Sequence, residues 1–153
     1  MSTNEKNSQR VATDKNKALE AVLRLYRDPE RLPERLTTLR LLTRSYGDMA
    51  KQAARLVEPL RAALDSANQV EVVDVMSQIG SGSLPVERLR SVGIAIRPLQ
   101  KGGARMKKLE SAFRSLPIPV LGYVREGAFH LDLRCLAAED ERAFVEQLRG
   151  LSC

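Results

Sequence analysis

The chain holds one histidine, His130, two cysteines and no tryptophan in 153 residues, and its aromatic content is 4%. Each scarcity excludes a chemistry. Cys135 and Cys153 are too few for a disulfide framework, and with His130 added they are still too few for a zinc cluster, so no metal is expected. A Ser/His/Asp triad would have to use His130 as its base, and hydrolytic nucleophile chemistry is not indicated. Residues 1–9 are polar and lack the apolar stretch of a secretory signal. No run reaches the roughly 18 apolar residues of a membrane span. The expected setting is cytoplasmic and reducing, with no membrane partner.

What is present is a chain of 43% hydrophobic content with a formal charge of +6. Its length suits one compact domain, or a small domain with a helical extension. The basic balance favours an anionic partner such as RNA or a phosphorylated ligand. Part of that charge alternates in sign at helical spacing, as in Glu30, Arg31, Glu34 and Arg35, which is the pattern of a solvated mixed face.

Ala18, Leu19, Val22, Leu23 and Tyr26 recur at helical intervals until Asp28-Pro29 ends the pattern. A second short helix is expected over Glu34 to Leu42. A longer one starts at Ser45, an N-cap with Asp48 three residues on, and aligns Met49, Ala53, Leu56, Val57, Leu60 and Leu64; Pro59 should bend or interrupt it. The character then changes. Val70, Val72, Val73 and Val75, and later Val92, Ile94 and Ile96, are β-branched runs that predict two strands. Gly102-Gly103 precedes a helix with Leu109, Ala112, Phe113 and Leu116 on its apolar stripe and a basic opposite face. Val120 to Val124 and Phe129 to Leu133 predict a hairpin turned at Glu126-Gly127, with His130, Asp132 and Arg134 on its polar side. A last helix begins among Glu139, Asp140 and Glu141 and ends at Arg149-Gly150, acid first and base last as the helix dipole favours. The order predicts an α+β fold: a helical lead-in, then a small mixed or antiparallel sheet covered by helices on one face.

Two features carry chemical interest. Gly80 and Gly82 free the backbone for positive φ and close approach, while Ser77, Ser81 and Ser83 offer hydroxyls that suit a carboxylate or phosphate. An ordinary strand-to-helix connection, with Ser83 capping a turn begun by Pro85, fits the same residues, and composition alone favours it. The loop is neither a dinucleotide fingerprint nor a P-loop, since Gly82 is followed by Ser-Leu-Pro. Arg134 suits bidentate capture of a carboxylate, and a solvent-facing or Asp132-paired arginine is the plainer reading. Lys101, Arg105, Lys107, Lys108 and Arg114 could meet a phosphate backbone, although no aromatics are interleaved for base stacking, and a solvated helix face is the plainer account.

Three ordered segments carry a family resemblance: ALEAVLRLY at Ala18 to Tyr26 with LTTLRLLTR at Leu36 to Arg44, SQIGSGSLPVERL at Ser77 to Leu89, and the stretch from LPIPVLGYV at Leu116 to LDLRCL ending at Leu136. Together they resemble the C-terminal part of bacterial L-seryl-tRNA(Sec) selenium transferase, or selenocysteine synthase. The resemblance implies the small domain of an aminotransferase-like, pyridoxal-phosphate-dependent fold. It also implies conversion of seryl-tRNA(Sec) to selenocysteinyl-tRNA(Sec) with selenophosphate, and ring-shaped homo-oligomers. In that family the cofactor lysine lies in an upstream segment resembling GDKLLGGPQ, which this chain does not contain; without it the electron sink for elimination from serine is lost. No cofactor is expected on this chain, although pyridoxal phosphate belongs to the full-length family.

Thr37 and Arg90 stand where the family pattern has proline, and Val75 where it has cysteine. Asp14-Lys15 lies closer to the ALEA segment than the family spacing. The expected division is therefore a disordered or non-homologous leader at 1–16, a helical lead-in at 17–67 and an α+β small domain at 68–153. The resemblance gives Ser77, Gly80, Ser81, Gly82, Ser83 and Arg134 weight as cleft-facing or anion-binding residues, and transfers no catalytic residue. It implies a truncated transferase, inactive alone, that exposes apolar stripes at Leu39, Leu41 and Leu42 and associates with itself or with the full-length enzyme. A module that binds selenocysteine tRNA or docks on a partner without catalysis is the alternative, and a non-functional remnant is a third.

Overall fold

The computed structural model describes residues 15–78, 88–100 and 103–151. These form two compact units that divide between Thr43 and Arg44.

The first unit is helical. Helix α1 covers residues 15–25, a 3-10 turn covers Pro29–Arg31, α2 runs over Leu32–Arg35 and α3 over Thr37–Leu42. The single helix expected from Glu34 to Leu42 is thus two pieces, because Leu36 adopts an extended backbone that ends α2 and precedes α3. On α1 the apolar stripe is open to solvent: Leu19, Leu23 and Tyr26 are 58%, 57% and 56% exposed, with Val22 beside them. The stripe expected to be bare was elsewhere. Leu39, Leu41 and Leu42 are half-buried.

The second unit begins with α4, Tyr46–Ala63, whose first turn is capped by Ser45: its Oγ accepts the Asp48 N–H at 3.1 Å and donates to the Asp48 carboxylate at 2.8 Å. Pro59 does not interrupt the helix, which continues to Ala63. Met49, Ala53, Leu56, Val57 and Leu60 are buried along one side, as their spacing predicts. This stripe forms one wall of the sheet's core, so α4 belongs with the sheet and not with the lead-in at 17–67 where the sequence pattern placed it.

The sheet is antiparallel, in the order β1-β2-β4-β3, with β1 at Asn68–Gln78, β2 at Arg88–Pro98, β3 at Tyr123–Arg125 and β4 at Ala128–Asp132. Register sets its two faces. Val70 pairs with Ile96, Val72 with Ile94, Ile94 with Leu131 and Ile96 with Phe129. Helix α5, Gly103–Arg114, adds Leu109 and Phe113 to that side, with the Phe113 and Phe129 ring centroids 5.4 Å apart. The opposite face carries Val75, Ser77, Ser91, Gly93, His130 and Asp132 by register, and at its end Ser91 reaches α4, its Oγ 3.4 Å from Met49 Sδ.

The hairpin turns where the sequence indicates, with Glu126 at φ 51° and Gly127 at φ 72°. Both central residues are left-handed, the geometry that matches the twist of the flanking strands. The entering strand is shorter than expected. The Val120 N–H donates to the Phe113 carbonyl at 3.0 Å instead of pairing across the sheet. Gly122 passes so close to β4 that a Cβ there would lie 2.5 Å from the His130 carbonyl oxygen.

Helix α6, Glu141–Gln147, lies between two 3-10 turns and buries Phe144, with Leu148 following. It is tied to α4 by a fork: Arg55 Nε and Nη2 donate to the two Glu141 oxygens at 2.7 Å each. Those hydrogen bonds hold the Glu141 carboxyl below its ordinary value of 4.5. A carboxyl lowered by folding stabilises the fold fully above its ordinary value, and that contribution fades as pH drops through the lower folded value. Glu141→Gln should cost about 0.5–1 kcal/mol at neutral pH in urea unfolding. The gap to wild type should narrow steadily as pH falls below 4.5; a gap of constant size would contradict the assignment.

Candidate functional site

The β-branched runs bring three strand ends together beside the first turn of α4. Ser77 near the end of β1, Ser91 in β2 and Asp132 at the end of β4 meet there, and the next turn adds Arg134. Asp132 is the hub. Its Oδ2 accepts the Ser77 hydroxyl at 2.5 Å, and its Oδ1 accepts the Ser91 hydroxyl at 2.7 Å and the Arg134 backbone N–H at 3.0 Å. The last of these bonds bends the chain. β4 therefore stops at Asp132, and Leu133–Cys135 forms a 3-10 turn in place of the strand expected to run through Leu133.

Arg134 is 5% exposed, which rules out the solvent-facing reading. Its Nε donates to Ser77 Oγ at 3.2 Å and its Nη2 to the Arg90 carbonyl at 2.6 Å. Ser77 thus accepts from the guanidinium while donating to Asp132, a relay in which each polar atom has a partner. Ser77 and Ser91 are buried too. The structure therefore unites Ser77 with Arg134, as the sequence reading grouped them; Gly80, Ser81, Gly82 and Ser83 lie outside the described residues.

The turn that carries Arg134 is itself held from α4. Arg44 Nη1 donates to the carbonyls of Leu133 and Leu136 at 2.5 Å each, and Nη2 donates to Gln52 Oε1 at 2.7 Å. Gln52, 1% exposed, passes the chain on to Glu141 at 3.3 Å. Burial first, and the neighbouring Arg134 second, lower the Arg44 guanidinium below its ordinary value. Neither Arg44 nor Gln52 stood out in the sequence. The available signal was Gln52 itself, a polar residue on the buried side of α4 beside Met49, Ala53 and Leu56.

A second cluster adjoins the first at the β1–β2 edge. The Tyr46 hydroxyl donates to Asp74, Arg90 Nη2 donates to the other Asp74 oxygen at 3.2 Å, and the Arg90 guanidinium sits 4.2 Å above the Tyr46 ring. The Tyr46 hydrogen bond, then Arg90, holds the Asp74 carboxyl low, and the same Tyr46–Asp74 bond raises the Tyr46 phenol. His130 lies in neither cluster. It stacks on Tyr123 with centroids 5.1 Å apart, and its Nδ1 is buried without a partner. Cys135 is an exposed thiol in the turn and opens on an apolar cleft of about 430 Å³ between Ile118–Leu121, Leu136 and Phe144.

The described lysines, Lys15, Lys17, Lys51, Lys107 and Lys108, are all exposed. None sits in an enclosed pocket where an amine could be desolvated and held against a cofactor ring, so these residues do not fit the pyridoxal phosphate that the resemblance implies. No described helix is long and apolar enough to cross a membrane.

Fold and cluster define an α+β domain whose antiparallel sheet is packed with helices and carries a buried arginine–carboxylate relay at its end. Comparison with known proteins specifies it further. The sequence model of the L-seryl-tRNA selenium transferase family matches residues 6–137. The L-seryl-tRNA(Sec) selenium transferases of Escherichia coli O139:H28 and of Shigella boydii serotype 18 are each 50% identical over 131 residues, covering 86% of this chain and 28% of the relative. The chain belongs to the L-seryl-tRNA selenium transferase family. It spans 28% of the length of those relatives.

Removing the hub tests the relay. Asp132→Ala should leave two hydroxyls and one backbone N–H without an acceptor and cost about 3 kcal/mol in thermal or urea unfolding, with Asp132→Asn intermediate. A loss below about 0.5 kcal/mol, the level of an ordinary surface change, would show that the relay does not hold these strand ends.

Proposed function

We propose that this chain is the small-domain part of a selenium transferase acting on seryl-tRNA(Sec), that it works docked against a cofactor- and lysine-bearing body, and that it does not transfer selenium alone. The observation that carries this reading is the bare apolar stripe of α1. Leu19, Leu23 and Tyr26, each more than half exposed at helical spacing, form a face of the kind that helices bury against a partner. Two facts agree with it: the chain spans 28% of its relatives' length, and its described lysines do not fit the cofactor.

In this reading the Asp132 relay fixes the end of β1, and Ser77 and Arg134 set the geometry of the edge that faces the cleft. Arg134 is suited to this because its backbone and side chain are oriented before any ligand arrives.

Complementation tests the proposal. The purified chain, mixed with the portion of the Escherichia coli O139:H28 enzyme that precedes the matched region, should restore selenium transfer from selenophosphate to seryl-tRNA(Sec) when pyridoxal phosphate is supplied. Leu19→Ser combined with Leu23→Ser should reduce that activity at least tenfold, the scale expected for two buried leucine contacts. Transfer by the chain alone would overturn the reading, and so would tight docking that left transfer absent, which would favour a docking module without catalysis.

A further inference from the structure

We infer that the exposed face of α5 is a docking surface for an RNA phosphate backbone. This rests on the functional reading above, and adds to it where on the fold the nucleic acid would lie. Over Gly103–Arg114 the helix carries Arg105, Lys107, Lys108 and Arg114 against one acid, Glu110. Leu109 and Phe113 turn inward. The outward arc presents Lys107, Lys108, Ser111 and Arg114, with Arg105 at its flank, all exposed.

Elsewhere among the described residues several helical arginines have a carboxylate partner. Arg24 pairs with Glu20, Arg61 with Glu58, Arg142 with Glu146 and Arg55 with Glu141. On α5 the one acid is engaged by Arg114 at 3.0 Å, and Arg105, Lys107 and Lys108 meet no carboxylate among the described residues. Asp65 shares a small hollow with Arg105 and Lys108, but one of its oxygens is committed to the Ala67 N–H and the Asn68 amide. Arg105 lies in the first turn of α5, which has no acid and where the helix dipole disfavours a cation. Even with Asp65 beside it, the cluster of Arg105, Lys107, Lys108 and Arg114 outnumbers its carboxylates among the described residues, and such an excess suits a polyanion from outside. The absence of exposed aromatics on this face points to backbone contact without base stacking.

The expected partner contact is thus sequence-independent and strongly dependent on salt. The full 153-residue chain should bind a selenocysteine tRNA transcript and a serine tRNA transcript with similar affinity in a filter-binding assay. Lys107→Ala with Lys108→Ala should weaken both about tenfold at low salt and reduce the slope of log affinity against log salt by about 1–2. Both side chains are exposed, so the variant should keep its melting temperature. As a charge-matched control, Arg24→Gln with Arg142→Gln should leave affinity within about twofold. An unchanged slope in the lysine variant, an equal loss in the control, or polyglutamate binding as tight as tRNA would each overturn the assignment. Because the assay reads binding without selenium transfer, failed complementation with an intact lysine effect would count against the transferase reading alone.

Discussion

Arg44 decides how the end of the sheet is built. The Leu133 carbonyl accepts the Leu136 N–H at 3.1 Å within the 3-10 turn, and it and the Leu136 carbonyl at the exit both receive the same Arg44 guanidinium nitrogen at 2.5 Å. A buried carbonyl without a donor is costly, so this turn is held by a side chain from the residue that precedes the N-cap of α4. The turn in turn sets the backbone of Arg134, whose N–H reaches Asp132 and whose guanidinium reaches Ser77 and Arg90. One cation thereby links the start of α4 to the strand ends that meet at Asp132.

Two different materials are joined by that link. Between sheet and helices lies an apolar layer in which Phe113, Phe129, Leu56, Leu60, Ile94 and Ile96 are fully buried, and its cohesion does not depend on direction. Around its open end runs a directional chain from Leu133 through Arg44, Gln52 and Glu141 to Arg55. The apolar layer makes the unit compact, while the polar chain fixes which way the turn and α6 face.

The sequence was a good guide wherever periodicity and burial coincide. The buried stripe of α4, the Ser45 cap, the two long strands and the Glu126-Gly127 turn all follow from spacing or from turn chemistry. It misled where one hydrogen bond overrides a pattern. Arg134 reads as a strand residue on the polar side, yet the Asp132 carboxylate captures its N–H and turns the chain inward. Leu36 likewise sits inside an apparent helix and breaks it through its own extended backbone. Ser77 and Arg134 were singled out together as cleft-facing or anion-binding residue types, but that they are buried and bonded to each other through Asp132 was not legible, because it depends on the turn at Leu133–Cys135. Arg44 and Gln52 were not legible either, since their role depends on the 89 residues that separate Arg44 from Leu133 in the chain. The bare face was misplaced for a related reason: leucine content marked α3, whereas exposure falls on α1.

The most direct measurement is amide hydrogen exchange on the Arg44→Ala chain. If Arg44 governs the turn, the amides of Arg134 and Leu136 should exchange at least tenfold faster than in wild type, a difference of about 1.4 kcal/mol in local opening, while those of β2 and α5 keep their protection. Unchanged exchange at Arg134 and Leu136 would contradict it, and so would a uniform loss of protection across the sheet.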